Sequence, residues 1–236
     1  MKKTRILFTG DSITDVYRTD VVRAMEGWLD PALTAQERQA STNSVLGMGY
    51  PLLAAAQLSA EEPGRYEFLN RGISGNRVVD LDARIKVDCI NLRPDVISIM
   101  IGVNDVWHEL GDHNGVDAPK FRRVYQGMLQ EITQALPGVK LILLEPYVLQ
   151  GPQPRRSTGT PSAGKWTCAG RSFGSWPRTT GRKRTCTSPA SDTQKLFDQA
   201  AARSCPGDWT ADGVHPTSAG HWLLAQEWVR CFKENG

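Results

Sequence analysis

Four short blocks carry side chains that together could cleave an ester. Gly10-Asp11-Ser12-Ile13-Thr14-Asp15 offers a serine hydroxyl, and Gly72-Ile73-Ser74-Gly75-Asn76 offers a glycine-rich stretch of backbone. Gly102-Val103-Asn104-Asp105 adds a side-chain amide, and Asp212-Gly213-Val214-His215-Pro216 places a carboxylate three residues from an imidazole. A serine hydroxyl is a weak nucleophile until a base takes its proton. The base needs a carboxylate to fix its tautomer and to stabilise its charged form. The oxyanion that develops on the substrate needs preorganised donors. A turn as short as Asp212 to His215 can set the carboxylate against Nδ1 and leave Nε2 for Ser12. The backbone N–H groups of Ser12 and Gly75, with the Asn104 amide, can supply three oxyanion donors.

Each block alone has a plainer reading. Gly-Asp-Ser after a strand is a common turn, Gly75 could be turn punctuation, and Asn104 or Asp105 could cap a helix. Asp-x-x-His before a proline could be a surface turn. The four blocks taken in this order point to Ser12 as nucleophile, Asp212 and His215 as its relay, and Ser12, Gly75 and Asn104 as the oxyanion hole. Asp11 and Trp107 are candidate substrate contacts. Asp11, like Asp15, can instead hydrogen-bond the nucleophile turn. Trp107 offers a flat face suited to a pyranose ring, or it packs in the core. His108 and His113 read as surface histidines in a loop.

The elements that must carry these blocks show in the apolar pattern. Arg5 to Gly10 reads as a strand, as do Tyr66 to Asn70, Val96 to Ile101 and Val139 to Leu144. The run Val96-Ile97-Ser98-Ile99-Met100-Ile101 is almost wholly apolar, as suits a parallel strand covered on both faces. Helical spacing appears over Gly47 to Ala60, Val79 to Ile90, Phe121 to Leu136 and Ser218 to Phe232. Strands alternating with helices predict an α/β fold, a doubly wound parallel sheet flanked by helices. In such sheets the working groups lie past the carboxyl ends of the strands, where the first three blocks fall.

Bulk properties narrow the function. The chain has 236 residues and 40% hydrophobic residues, enough for one domain spanning 1–236. No apolar run approaches the roughly 20 residues of a membrane span. Met1-Lys2-Lys3 is positive like a signal peptide, but Ile6-Leu7-Phe8 is too short for its apolar region and cleavage there would remove Ser12. A cytoplasmic location is expected. Cys89, Cys168, Cys186, Cys205 and Cys231 are odd in number and have no metal-ligand spacing, so neither a disulfide framework nor a zinc site is expected. Nothing calls for a cofactor, and a nucleic-acid or membrane partner is not expected; a homo-oligomer is compatible.

The blocks resemble those of the SGNH, or GDSL-type, hydrolases, named for their serine, glycine, asparagine and histidine. Ser12, Gly75, Asn104 and His215 match those four, and Asp212 matches the acid of the last block. The resemblance covers residues 4 to about 150 and 194 to 232. Gly72 to Asn76 and Ile99 to Trp107 look most like intracellular acetylxylan esterases and related carbohydrate deacetylases. The resemblance implies a flavodoxin-like three-layer fold and an ester hydrolase that removes O-acetyl groups from oligosaccharides such as xylo-oligosaccharides. A lysophospholipase or acyl-thioesterase using the same groups is the alternative.

Residues 151–191 break the pattern. They hold eight basic residues, no acidic one, and no Leu, Ile, Val, Met or Tyr. Without them the rest of the chain has 20 basic against 25 acidic residues, so the net charge of +3 belongs to this segment. A structureless stretch this long is unusual inside a compact domain, and the resemblance implies a helix and a final strand here. Read from the third base of each codon, Arg171 to Lys183 can encode Gln-Phe-Arg-Glu-Leu-Ala-Glu-Asp-Tyr-Gly-Ala-Glu, an amphipathic helix. The step Trp176-Pro177 allows only Ala in that frame. The segment is therefore read as frameshifted or as an irregular basic insertion, either of which could impair catalysis.

Overall fold

The computed structural model describes residues 2–149 and 193–234. The expectations for residues 151–191, including a frame change and the missing helix and strand, lie outside the described residues. Four strands, β1 (Thr4–Gly10), β2 (Tyr66–Asn70), β3 (Val96–Met100) and β4 (Lys140–Leu144), form a parallel sheet in the order β2-β1-β3-β4. The registers pair Ile6 with Phe68, Ile6 with Val96, and Val96 with Lys140. The expected α/β architecture is the one observed.

Alternation along each strand sorts side chains onto two faces. One face carries Ile6, Phe8, Val96, Met100, Ile142 and Leu144. It is covered by α4 (Tyr50–Glu61), α8 (Thr193–Ala201) and α10 (Ser218–Glu234) through Tyr50, Ala54, Leu58, Phe197, Leu224 and Trp228. The other face carries Leu7, Leu69, Ile97, Ile99, Leu141 and Leu143. There α5 (Val78–Asp88) contributes Leu81 and Ile85, and α7 (Ala118–Ala135) contributes Phe121, Tyr125, Met128 and Ile132. Burial on both faces explains why the strand centres, such as Ile6-Leu7-Phe8 and Leu141 to Leu144, read as apolar runs. Among the described residues no helix is long and apolar enough to cross a membrane, and Cys89, Cys205 and Cys231 are free thiols.

Helix ends follow local chemistry. The Asp117 carboxylate accepts from the Lys120 N–H at 2.9 Å and Pro119 lies in the first turn, so α7 begins before the apolar stripe at Phe121. Between β1 and α4 lie α1 (Ser12–Asp15), α2 (Arg18–Glu26) and α3 (Ala35–Ser41), while α6 (Val103–Asp112) follows β3 and α9 (Pro206–Trp209) precedes α10. One of the two expected surface histidines needs correction and the other does not. His108 is half-buried inside α6, not in a loop; His113 is the exposed residue that ends α6 at φ +53°. The helix forms because Val103, Val106, Trp107 and Leu110 fall on one side and pack against the core.

The last block is tied to the rest of the chain by backbone bonds. Leu149 N–H donates to Gly213 O at 2.8 Å. Val148 exchanges two hydrogen bonds with the Gln194 side chain, at 2.9 and 3.1 Å. Helix α10 is anchored through Trp228, fully buried against Phe8 (ring centroids 4.8 Å apart), whose indole N–H donates to Ser98 Oγ at 2.9 Å. Truncating Trp228 to Ala should cost about 3–5 kcal/mol through the cavity and the orphaned Ser98. Urea titration followed by circular dichroism checks this, and a loss under about 1 kcal/mol would mean that α10 does not depend on this anchor.

Candidate active site

Ser12 opens α1 directly beyond the end of β1. The Asp11 side chain caps that turn by accepting from the Ile13 N–H at 3.0 Å. Opposite it, the segment 209–217 folds back on itself: Ala211 N–H donates to His215 O, and Thr217 N–H donates to Trp209 O, both at 2.9 Å. Within that fold Asp212 Oδ1 accepts from the N–H groups of Val214 and His215, at 3.0 and 2.8 Å. Its other oxygen is thereby aimed at the ring, with Oδ2 2.7 Å from His215 Nδ1. His215 Nε2 lies 2.9 Å from Ser12 Oγ, across 203 residues of sequence. Carboxylate, imidazole and hydroxyl thus form one line of hydrogen bonds, open to solvent at the ring, whose side chain is 44% exposed.

Asn104 is bonded to the loop that carries Gly75. Asn104, in the first turn of α6, donates from Nδ2 to Asn76 O at 3.1 Å. A primary amide has two N–H donors, so one remains. Gly75 holds φ +81°, a backbone state that favours glycine; a Cβ there would meet nothing within 4 Å, so the need is conformational, not steric. Gly72 is the reverse case: its Cβ would lie 2.5 Å from the Asp15 N atom, so only glycine lets this loop touch the nucleophile turn. Among the described residues no acceptor takes the backbone N–H of Ser12 or of Gly75. Trp107 stands beside the imidazole with ring centroids 6.0 Å apart, tilted by 55°.

The two charged partners perturb each other. Burial alone would raise the Asp212 pKa, but the hydrogen bonds and charge of His215 and the Val214 N–H outweigh it and hold the carboxyl at about 2. The Asp212 hydrogen bond raises the His215 pKa above its ordinary value; burial opposes this, and the Asp212 and Asp11 charges add to it. Asp11 is 1% exposed. Burial pushes its carboxyl up to about 7 against the Ile13 hydrogen bond and the His215 charge, and its Oδ2 has no hydrogen-bond partner among the described residues.

Sequence reasoning gave two buried acids, Asp105 and Asp15, only local roles, as a helix cap and as a partner of the Ser12 turn, and missed their distant partners. Asp105 accepts from the Val78 N–H with both oxygens, at 3.0 and 3.1 Å, joining α6 to the start of α5. Asp15 bonds to Ser74, described below. The only sequence signal for either is a short acid beside a block whose other residues carry chemistry. His221, on α10, accepts the Tyr50 N–H at 3.3 Å through Nδ1, and burial together with the His215 charge lowers its pKa to about 4.

Comparison with known proteins fits this geometry. The sequence profile of the GDSL-like lipase/acylhydrolase family matches residues 8–223. The chain belongs to that family. A GDSL-like acylhydrolase is a carboxylic ester hydrolase, and its substrate is an ester. An acetylxylan esterase of Geobacillus stearothermophilus is 30% identical over 231 residues, 96% of this chain and 92% of that protein. Axe2, an acetylxylan esterase from the same organism, has a crystal structure that matches with a TM-score of 0.70 at 28% identity, over 97% of this chain and 93% of that one. Structures of Axe2 described as catalytic mutants, with a serine or an aspartate changed to alanine, match as well. LAE5, an α/β hydrolase enzyme from the metagenome of Lake Arreo, matches at 0.70 and 26% identity, over 99% and 96% of the two chains.

Histidine titration followed by NMR separates the two imidazoles of this GDSL-like site. His215 should titrate above 6.5 and His221 near 4. Asp212→Asn removes the charge that favours imidazolium, so the His215 midpoint should fall. If the neutral ring is the base, kcat/KM should rise with pH through the His215 midpoint. A midpoint unmoved by Asp212→Asn would mean that the carboxylate does not set the ring's charge.

Proposed function

We propose that this protein is a serine esterase acting through an acyl-enzyme, and that it removes O-acetyl groups from oligosaccharides such as xylo-oligosaccharides. The observation that carries the mechanism is the line from Asp212 through His215 to Ser12, at 2.7 and 2.9 Å. As Ser12 Oγ attacks the ester carbonyl, His215 Nε2 takes its proton, and the carbonyl electron pair moves onto oxygen. The N–H groups of Ser12 and Gly75 and the second Asn104 N–H hold that oxyanion. Its collapse breaks the bond to the sugar oxygen, which leaves with the proton from His215, and acetyl remains on Ser12. A water deprotonated by His215 repeats the sequence, releasing acetate and restoring the serine. Asp212 keeps the proton on Nδ1 throughout and balances the imidazolium. Asp11 holds the turn from beneath, and its burial suits that role better than substrate contact. Trp107 forms a wall for the sugar.

The acetyl and carbohydrate assignment is supported by the acetylxylan esterase that is 30% identical over 96% of the chain. The catalytic mutants of Axe2 lend support to the serine and the aspartate.

Ser12→Ala should abolish hydrolysis of p-nitrophenyl acetate and labelling by a fluorophosphonate with circular dichroism unchanged; labelling that persists would remove Ser12 from the mechanism. Asn104→Ala should lower kcat roughly 100- to 1,000-fold with a much smaller change in KM, because the donor acts on the oxyanion and not on the ground state. A normal kcat would leave Asn104 as a clamp on Asn76 alone.

Acyl chain length tests the substrate. Acetyl esters should be cleaved faster than octanoyl esters, and acetylated xylo-oligosaccharides should release acetate. A preference for long chains would favour a lysophospholipase or thioesterase instead. Activity on none of these esters by a folded chain would point to catalytic impairment.

A further inference from the structure

The acid that links the nucleophile turn to the oxyanion loop is Asp15. It is 3% exposed and spends both oxygens on four donors. Oδ1 accepts from Thr19 N–H and Thr19 Oγ–H, at 2.8 and 2.9 Å. Oδ2 accepts from Ser74 N–H and Ser74 Oγ–H, at 3.1 and 2.7 Å. Ser74 immediately precedes Gly75, and Asp15 closes the one-turn helix that Ser12 opens. One carboxylate thus ties together the two backbone segments that present the Ser12 and Gly75 N–H groups.

The first pair of bonds has its own reason. Val16 and Tyr17, between Asp15 and α2, both hold left-handed backbone, at φ +35° and +63°. For a β-branched and an aromatic residue this backbone state is strained and persists only where neighbours over-determine it. Asp15 Oδ1 reaches past both of them and Arg18 to Thr19, and Met48 N–H holds Val16 O at 3.0 Å. The tight reversal lets α2 leave the site at once, while the carboxylate faces back toward Ser74. A second tie runs parallel: Asn70 Nδ2 donates to Thr14 O at 2.7 Å, and Asn70 Oδ1 accepts from Gly72 N–H at 2.8 Å. This second tie enters the loop at its root, whereas the Asp15 tie grips it next to the donor.

We infer that Asp15 is a positioning residue that sets the Gly75 N–H against Ser12, so that loss of its bonds to Ser74 lowers oxyanion stabilisation rather than substrate binding. The inference rests on the oxyanion role of Gly75 proposed above. Its logic is geometric: a donor misplaced by about 1 Å can cost about 100-fold in rate. Ser74 is exposed, so its hydroxyl can be removed without opening a cavity in the core.

Steady-state kinetics on p-nitrophenyl acetate test this. Ser74→Ala should lower kcat about tenfold and Asp15→Asn about 100-fold, each with KM little changed. Ser74→Thr, which keeps a hydroxyl, should restore most of the loss. Ser98→Ala, which removes the buried bond to Trp228, serves as a stability control and should lower Tm with kcat unchanged. A normal kcat in Ser74→Ala would overturn the inference, even if Asp15→Asn fails to fold. So would a loss in Ser74→Ala that Ser74→Thr does not recover, or one that appears in KM. Ser12→Ala separates the two levels: if it retains hydrolysis, the active-site reading itself fails, and if it is dead while Ser74→Ala is normal, only the role of Asp15 fails.

Discussion

A hydroxyl at residue 12 and an imidazole at residue 215 approach to 2.9 Å, and everything else about the site depends on that meeting. Neither group is held by the other. Ser12 is placed by β1, whose residues Ile6 to Gly10 are all buried within the sheet. His215 is placed by a reversal that closes on itself between Trp209 and Thr217 and rests on α10. A rigid parallel sheet makes such a meeting reproducible, because strands covered on both faces have little freedom to shift register. The carboxyl ends of β1, β2 and β3 then hand their loops to one edge of the sheet, where a reacting carbonyl can be reached from several sides.

Four buried or half-buried acids help to fix the loops at that edge. Asp11 caps the nucleophile turn, Asp15 joins it to Ser74, Asp105 takes the Val78 N–H, and Asp212 holds the backbone of its own turn and the His215 ring. A short carboxylate with two oxygens can bind several N–H groups that a tight turn leaves without a helical or strand partner. The Asn104 amide has a related double use, gripping Asn76 with one N–H and leaving the other. Preorganisation of this kind places the donors before substrate arrives, which is where much of the rate advantage of an oxyanion hole originates.

Much of this was legible in sequence, for identifiable reasons. The strands stood out because Ile6 to Phe8, Val96 to Ile101 and Leu141 to Leu144 are buried on both sides of the sheet and so are almost wholly apolar, Ser98 being the one polar residue among them. Helices α5, α7 and α10 stood out through stripes such as Phe121, Tyr125, Met128 and Ile132. Helix α2 did not, since Arg18 is its only buried residue, and α1 is a single turn made by a cap. Helix α6 carries a readable stripe in Val103, Val106, Trp107 and Leu110, but Gly102, Asn104 and Asp105 at its start resemble a turn. The spacing of Asp212 and His215 was informative because both are local to one reversal. The bond from Asp15 to Ser74 spans 59 residues and needs the register of β1 against β2, which no local pattern records.

The carboxylates also differ in when they carry charge. Asp212 is stabilised as an anion down to about 2, so it is ionised wherever the imidazole can act as a base. Burial pushes both Asp11 and Asp105 up to about 7, so both hold their protons far more readily than Asp212. Charge on Asp11 favours protonated His215, and protonated His215 favours charge on Asp11. If His215 is the base proposed above, the same coupling acts in each turnover: while the ring is imidazolium, ionisation of Asp11 is easier, and the second anion stabilises the charged ring. That assistance opposes the resting base, because an ionised Asp11 makes the free imidazole scarcer at a given pH.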